Sequence, residues 1–393
     1  MHMINTQRYL ENTIKEDAIA DKKMAFISGP RQVGKTTLSK RLLQFKENYY
    51  TWDDPVFKRQ WTKNPSYILD HIQKGPIVLD EIHKYRPWKS HLKGFYDMHG
   101  PLVPIIVTGS AKLDIYRRGS DSLMGRYIPY RLHPFSVAES ENPISVDKLF
   151  QMKSKKISFE DLMNYSGFPE PLIKGNSNWA LRWSKLRLDR LVFEDFKDLK
   201  AANDLNAVRL LTDLLPERVG SLLSLNSLRE DCAVAYATMR SWVEILESLY
   251  YCFKIRPFTG KLSRSLRSDP KLYLFDPLQV ENPSARLENI VALHLLKACH
   301  FWNDSAQGKF DLHFVATKEK KEVDFLVTMN NKPWMLVECK SNNKHPSANL
   351  VYFMERLKTP YNFQLVLNKN FEKEFKNQNI RIMDYENFLS YLV

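Results

Sequence analysis

Three short apolar runs stand out in the first 140 residues: KKMAFISG at 22–29, GPIVLDE at 75–81 and VPIIVTGS at 103–110. Each is about the length of a buried strand, and helix-length polar stretches separate them. KTTLSKRLLQF, directly after the first run, places Leu38, Leu42 and Leu43 on one helical face. Strands without hairpin turns, separated by helices, predict parallel βαβ units and a doubly wound sheet. From about 155 to 256 the spacing turns helical, in WALRWSKLRLDRLVFEDFKDL, LNAVRLLTDLLPERV, SLNSLREDC and AYATMRSWVEILESLYY. The last third is mixed. RLENIVALHLLKAC has helical periodicity, whereas KLYLFD, KFDLHFVATK, EVDFLVTM, KPWMLVECK and NFQLVL alternate or run apolar like strands. The predicted class is α/β in three parts, 1–150, 151–270 and 271–393, with soft boundaries. No repeat or low-complexity linker interrupts them.

Composition changes this picture in two ways. With 44% hydrophobic residues, the chain can bury a core, which excludes disorder as a general description. The formal charge is +13, distributed as +7, +4 and +2 over the three parts. A basic surplus favours polyanions such as nucleic acid, although a solvated lysine-rich surface accounts for it equally well. No apolar run reaches the ~18–20 residues that span a bilayer. The start, MHMINTQRYLENTIKED, has no apolar core of a signal peptide. The four cysteines (Cys232, Cys252, Cys299, Cys339) form no close pair. A soluble, cytoplasmic protein without a membrane partner is expected.

The chemistry is densest at GPRQVGKT, residues 29–36, which fits G-x-x-x-x-G-K-[ST] between a predicted strand and a predicted helix. Gly29 and Gly34 let the backbone curl, so that the loop Gly29, Pro30, Arg31, Gln32, Val33, Gly34, Lys35, Thr36 and Thr37 turns its N–H groups into one concavity. The opening helix adds its positive end. Lys35 is expected on the β- and γ-phosphates of ATP, and the Thr36 hydroxyl on Mg²⁺. Asp80 closes the buried run IVLD at the end where open α/β sheets bind ligands, and is expected to hold Mg²⁺ or its water. Glu81 is suited to be the general base for the attacking water. Ser110, ending the third run, is expected at the same edge. Arg126, in the loop-like SLMGRY, is the preferred arginine finger for a neighbouring subunit's site, with Arg117, Arg118 and Arg131 as competitors.

GPRQVGKTTL, IVLDEIHKYRPWKSHLKGFYD, IIVTGSAKL, SLMGRYIPYRLHPFS and SGFPEPL, in this order, resemble AAA-type P-loop ATPases of bacteria and archaea. Many of those proteins carry a C-terminal restriction-endonuclease-like domain, which KLYLFD, RLENIV, EVDFLV and VECK also resemble. The resemblance implies an AAA+ core, ATP and Mg²⁺ as cofactors, and assembly of like subunits into a ring or part of one. It names no substrate. No second sensor arginine can be placed.

In the middle part, a helix, a tight turn, a second helix and a strand pair suggest a winged helix. Leu228, Ala233, Met239, Val243 and Leu246 would face inward. Thr238, Arg240 and Ser241 would project where a recognition helix meets a DNA groove. The basic stretch that follows, with Lys254, Arg256, Lys261, Arg264, Arg267 and Lys271, is expected as a wing tracking phosphates. Packing between domains would account for the same helices.

In the last part, Glu288 lies on a predicted helix, and Asp324, Glu338 and Lys340 lie on predicted strands. Residues two apart in a strand share a face, so Glu338 and Lys340 point the same way, with Asp324 beside them. Carboxylates and a lysine in such a set can hold Mg²⁺ against a scissile phosphate, which makes Asp324 and Glu338 a candidate second metal site. A degenerate fold, its carboxylates paired with Lys320, Lys321 or Lys340, is the alternative. The leading expectation is an oligomeric AAA+ ATPase that binds or remodels branched or forked DNA. An ATP-licensed metal-dependent nuclease, and a nucleotide-gated switch for protein partners, are its rivals.

Overall fold

The computed structural model describes residues 7–100, 102–109, 123–140, 142–197, 205–259, 268–342 and 344–393. The chain forms two compact units. One ends at Pro134, and the other runs on from Phe135; the short stretch Ser248–Tyr250 groups with the first. Among the described residues no helix is long and apolar enough to cross a membrane.

The first unit is built on a five-stranded sheet in the order β2-β3-β4-β1-β5, parallel throughout. The strands are β1 Met24–Ser28, β2 Tyr49–Thr51, β3 Ile77–Asp80, β4 Ile105–Thr108 and β5 Tyr127–Arg131. The three apolar runs of the sequence are β1, β3 and β4, at the centre of the sheet. Every residue in these three strands is buried, as a parallel sheet covered on both faces requires. On one face Met24, Phe26, Ile77, Leu79, Ile105 and Val107 pack with Phe57 and Trp61 of the helix Pro55–Lys63 and with Trp88, Leu92 and Phe95 of Trp88–His99. Asp54 caps the first of these helices by accepting from the Val56 N–H, with Pro55 at its first position. Because the sheet is parallel, Ser28, Asp80 and Thr108 all emerge at one edge.

The second unit carries helices followed by an eight-stranded mixed sheet in the order β12-β13-β11-β10-β9-β8-β6-β7. Its strands are β6 Cys252–Pro257, β7 Lys271–Leu274, β8 Phe310–Ala316, β9 Glu322–Met329, β10 Lys332–Cys339, β11 Tyr361–Val366, β12 Glu372–Phe375 and β13 Ile380–Asp384. All five strands expected in the last third are present. The helices Leu225–Asp231 and Tyr236–Ser248, then β6 paired antiparallel with β7, reproduce the expected helix–turn–helix and strand pair. Leu228, Met239, Val243 and Leu246 are buried. Ala233 is not: it is exposed, with φ 53°, because it forms the turn between the two helices. The 22-residue helix Pro283–Asp304 starts at an Asn282 cap that accepts from the Ser284 and Ala285 N–H groups. The helix Ala348–Leu357 connects the parallel strands β10 and β11 and buries Leu350 and Phe353 against Leu326, Leu336, Val366 and Ile382.

Candidate functional site

The loop between β1 and the helix Lys35–Arg41 is held from below. Arg8 is buried and donates to the carbonyls of Val33 at 2.9 Å and His133 at 2.5 Å. A trans peptide sets its C=O and N–H on opposite sides, so fixing the Val33 carbonyl on Arg8 aims the Gly34 N–H the other way. Gln32 at φ 63° and Gly34 at φ 99° give the alternating backbone that gathers N–H groups into an anion-binding concavity. Gly29 has φ 150°, and a Cβ there would stand 2.3 Å from the Leu132 carbonyl oxygen. Gly29→Ala is therefore expected to cost about 1–3 kcal/mol in backbone strain and to weaken nucleotide binding. Thermal unfolding with and without ATP would measure both.

Lys35 is buried, and its Nζ donates to the carbonyls of Gly29 at 2.9 Å and Pro30 at 2.7 Å. The lysine thus lies folded over the loop whose phosphate it is expected to meet. Asp80 is the hub of the strand ends. Its Oδ2 accepts from the Thr36 hydroxyl at 2.9 Å and the Tyr49 hydroxyl at 2.5 Å, and its Oδ1 accepts from the Thr108 hydroxyl. These residues come from the phosphate-loop helix and from β2, β3 and β4. Tyr49 is correspondingly driven well above its ordinary pKa, by burial first and then by the Asp80 carboxylate.

Glu81 follows Asp80 with φ 58° and ψ 20°, a left-handed turn that takes it off the strand; its N–H donates to the Thr108 carbonyl at 3.0 Å. Its carboxylate lies 3.6 Å from both His83 Nε2 and Lys84 Nζ. Burial raises its pKa, opposed by the charges of Lys35 and Lys84 and reinforced by Asp80. A carboxylate raised in this way is a better proton acceptor than an exposed one.

Arg126 is not at this edge. It precedes β5, and its carbonyl accepts from the Met24 N–H at the start of β1, the opposite edge from the phosphate loop. Its guanidinium holds Asp97 through Nε to Oδ1 at 2.6 Å and Nη2 to Oδ2 at 3.1 Å. Arg31, Thr36 and Thr37 are exposed, whereas Gly29, Pro30 and Val33 are buried. Ser110, Arg117 and Arg118 lie outside the described residues. Arg131 ends β5 and lends its carbonyl to the Tyr9 hydroxyl at 2.5 Å.

In the second unit the four expected residues do gather. The β9–β10 register pairs Phe325 with Val337, which sets Asp324 opposite Glu338. Lys340 Nζ lies 2.8 Å from Glu338 Oε1, and Ser347 donates its hydroxyl to Glu338 Oε2. The Cys339 N–H donates to Asp324 Oδ2 at 2.8 Å, and the Tyr273 hydroxyl to Glu288 Oε1 at 2.7 Å. Burial, then the neighbouring Glu288, pushes Asp324 up to about 7. Lys271, expected on a wing, is instead buried among these carboxylates, with Nζ 2.5 Å from Glu322, 3.6 Å from Glu288 and 3.9 Å from Asp324. Of the lysines considered as partners for these carboxylates, Lys340 is the one that pairs with Glu338, whereas Lys321 lies over the Tyr352 ring at 4.1 Å. Among the described residues no group of three or more His, Cys, Asp or Glu is arranged to hold a metal ion. As they stand, these residues do not fit a divalent cation.

Of the residues expected on DNA, Arg240 is exposed and paired with Glu244 at 3.0 Å, and Thr238 and Ser241 are half-buried. Lys254 pairs with Glu247 at 2.8 Å. Lys261, Arg264 and Arg267 lie outside the described residues.

Residues 21–141 match the family described as an AAA domain. Residues 156–277 and 284–388 match two families, each described as a domain of unknown function. An uncharacterised protein of Haemophilus influenzae is 22% identical over 387 residues, covering 91% of this chain and 92% of that protein. One of Methanocaldococcus jannaschii is 25% identical over 345 residues, covering 74% of this chain and 70% of its own length. Among solved structures, the Thermotoga maritima RuvB Holliday junction branch migration motor is 17% identical with a TM-score of 0.31, covering 66% of this chain and 94% of its own. The Aeropyrum pernix ORC1 protein in complex with DNA is 15% identical with a TM-score of 0.32, covering 72% and 94%. Likeness this loose says nothing of function.

The sequence reading of the first unit missed Arg8, Tyr49 and Thr108. Thr108 had a signal, because it closes the apolar run IIVT as Asp80 closes IVLD. Arg8 and Tyr49 had none, since each reaches its partner only through the fold.

Proposed function

We propose that the protein is a Mg²⁺-dependent ATPase that works on DNA as an assembly of like subunits. The observation that carries the ATPase reading is Asp80, which ties together the hydroxyls of Thr36, Tyr49 and Thr108 at the lip of the phosphate loop. Thr36 and Asp80 would hold Mg²⁺, which supplies positive charge to the phosphate oxygens when bound. Lys35 leaves the loop carbonyls for the β- and γ-phosphates. Glu81 takes the proton of the attacking water, and its raised pKa suits that role.

Assembly is supported by the edge that bears Arg126. Met98, Leu102 and Met124 are 69%, 81% and 77% exposed close to the Arg126–Asp97 pair. Large apolar side chains left exposed suit a subunit contact, and a neighbour there would draw Arg126 off Asp97 toward its own phosphates. DNA as the partner rests on the charge of +13, greatest in the first 150 residues.

Steady-state ATP hydrolysis with Mg²⁺, alone and with single-stranded, duplex, forked and four-way DNA, tests the reading. Stimulation by DNA that weakens steeply between low and moderate salt is expected. Hydrolysis indifferent to every DNA would replace it with a switch for protein partners, and no hydrolysis at all would overturn the ATPase itself.

A further inference from the structure

We infer that Lys271 is the resident cation of the carboxylate cluster in the second unit, and that the cluster takes no divalent metal and cuts no phosphodiester. The residues resemble those of a metal-dependent nuclease, but their surroundings are those of an ion-pair network centred on a buried lysine. Lys271 opens β7 at the edge of the sheet and is 3% exposed. Its ammonium group lies within 4 Å of three carboxylates from two other elements: Glu288 on the long helix, and Glu322 and Asp324 on β9. Its charged end also lies 5.5 Å from the centre of the Phe314 ring.

Five of the six oxygens of Glu288, Asp324 and Glu338 face polar groups of the chain itself. Asp324 has the Cys339 N–H on one oxygen and faces Lys271 with the other. Glu338 has Lys340 on one oxygen and the Ser347 hydroxyl on the other. Glu288 shares one oxygen between the Tyr273 hydroxyl and Lys271. Magnesium demands near-octahedral oxygen ligands at about 2.0–2.1 Å. Here it would have to enter against a buried ammonium ion at short range, where like charges repel most strongly. A buried lysine among carboxylates also neutralises charge that would otherwise oppose folding. Four carboxylates and two ammonium groups therefore form a network that ties β7, β9, β10 and the long helix together.

The inference is independent of ATP hydrolysis, and its test uses the full-length protein without nucleotide, carrying Thr36→Ala to disable the other metal position. Mn²⁺ titration followed by its electron paramagnetic resonance signal is expected to give the same isotherm for this protein and for the same protein with Asp324→Asn. Adding Lys271→Met should create a Mn²⁺ site at least about tenfold tighter than any background binding, and adding Asp324→Asn to that variant should remove it. If Lys271→Met does not fold, comparison of the parent with its Asp324→Asn and Glu338→Gln forms still decides. Mn²⁺ binding by the parent that either substitution abolishes would overturn the inference. So would Mg²⁺-dependent DNA cutting by the natural chain that Lys340→Ala abolishes.

Discussion

Glu81→Gln is expected to leave ATP bound and to lower its hydrolysis by about 10²–10⁴-fold, the range of a positioned general base. The substitution keeps the shape of the side chain and removes only its ability to accept a proton. Lys35, Thr36 and Asp80, the residues proposed to carry binding, are untouched. The pH dependence supplies an independent check. Glu81 acts as a carboxylate, and burial raises its pKa, so the acid limb of the rate should lie above the ordinary value of 4.5 for a glutamate. Activity is then lost as pH falls through the raised value, and Glu81→Gln should abolish that limb along with the rate. Equilibrium binding of a fluorescent ATP analogue beside steady-state hydrolysis from pH 5 to 8 would make the measurement. Equal loss of binding and turnover would move Glu81 from proton transfer to nucleotide binding.

The centre of the first unit was legible because burial leaves a local mark. β1, β3 and β4 are covered on both faces and so read as continuous apolar runs. The two outer strands leave less of one. β2 has only three residues, all half-buried, and β5 contains Pro129, which an edge strand tolerates because one side of its backbone needs no donor. Position relative to strand ends brought Asp80 and Glu81 forward as candidates, because a buried strand of a parallel sheet delivers its last residues to the ligand edge.

Lys271 shows the opposite case. In the sequence it sits in a basic stretch, which is the pattern of a solvated surface, and its acidic neighbours are 17, 51 and 53 residues away. Pairing through space at such separations has no periodicity to detect. The sequence therefore brought forward three of the four carboxylates and one of the two cations, and left out Glu322 and Lys271. The four residues Glu288, Asp324, Glu338 and Lys340 do converge, yet the group that gives the cluster its character was assigned to DNA.

A second buried cation offers the largest stability effect. Lys297, on the helix Pro283–Asp304, donates to Glu139 Oε2 at 2.5 Å and to Ser136 Oγ at 2.7 Å, and all three residues are buried. Glu139 Oε2 also accepts from the Ser136 N–H at 3.2 Å, and Ser136 donates its hydroxyl to the Val393 backbone oxygen at 2.5 Å. Lys297→Met alone strands a buried carboxylate and should cost about 3–5 kcal/mol. Combining it with Glu139→Gln should recover most of that loss, because the amide keeps an acceptor for the Ser136 N–H and carries no charge. His294, one turn earlier, accepts from the Val137 N–H and is pushed down to about 4 by burial, from an ordinary 6.5. A histidine held neutral in the fold favours the folded state above its unfolded value. That stability is lost as pH falls from 6.5 toward 4, by up to about 1.4 kcal/mol per unit. Urea unfolding of the parent, the single and the double variant at pH 7 and pH 5 separates the two effects. If the double variant is no more stable than Lys297→Met, the stranded charge is not what the single substitution costs.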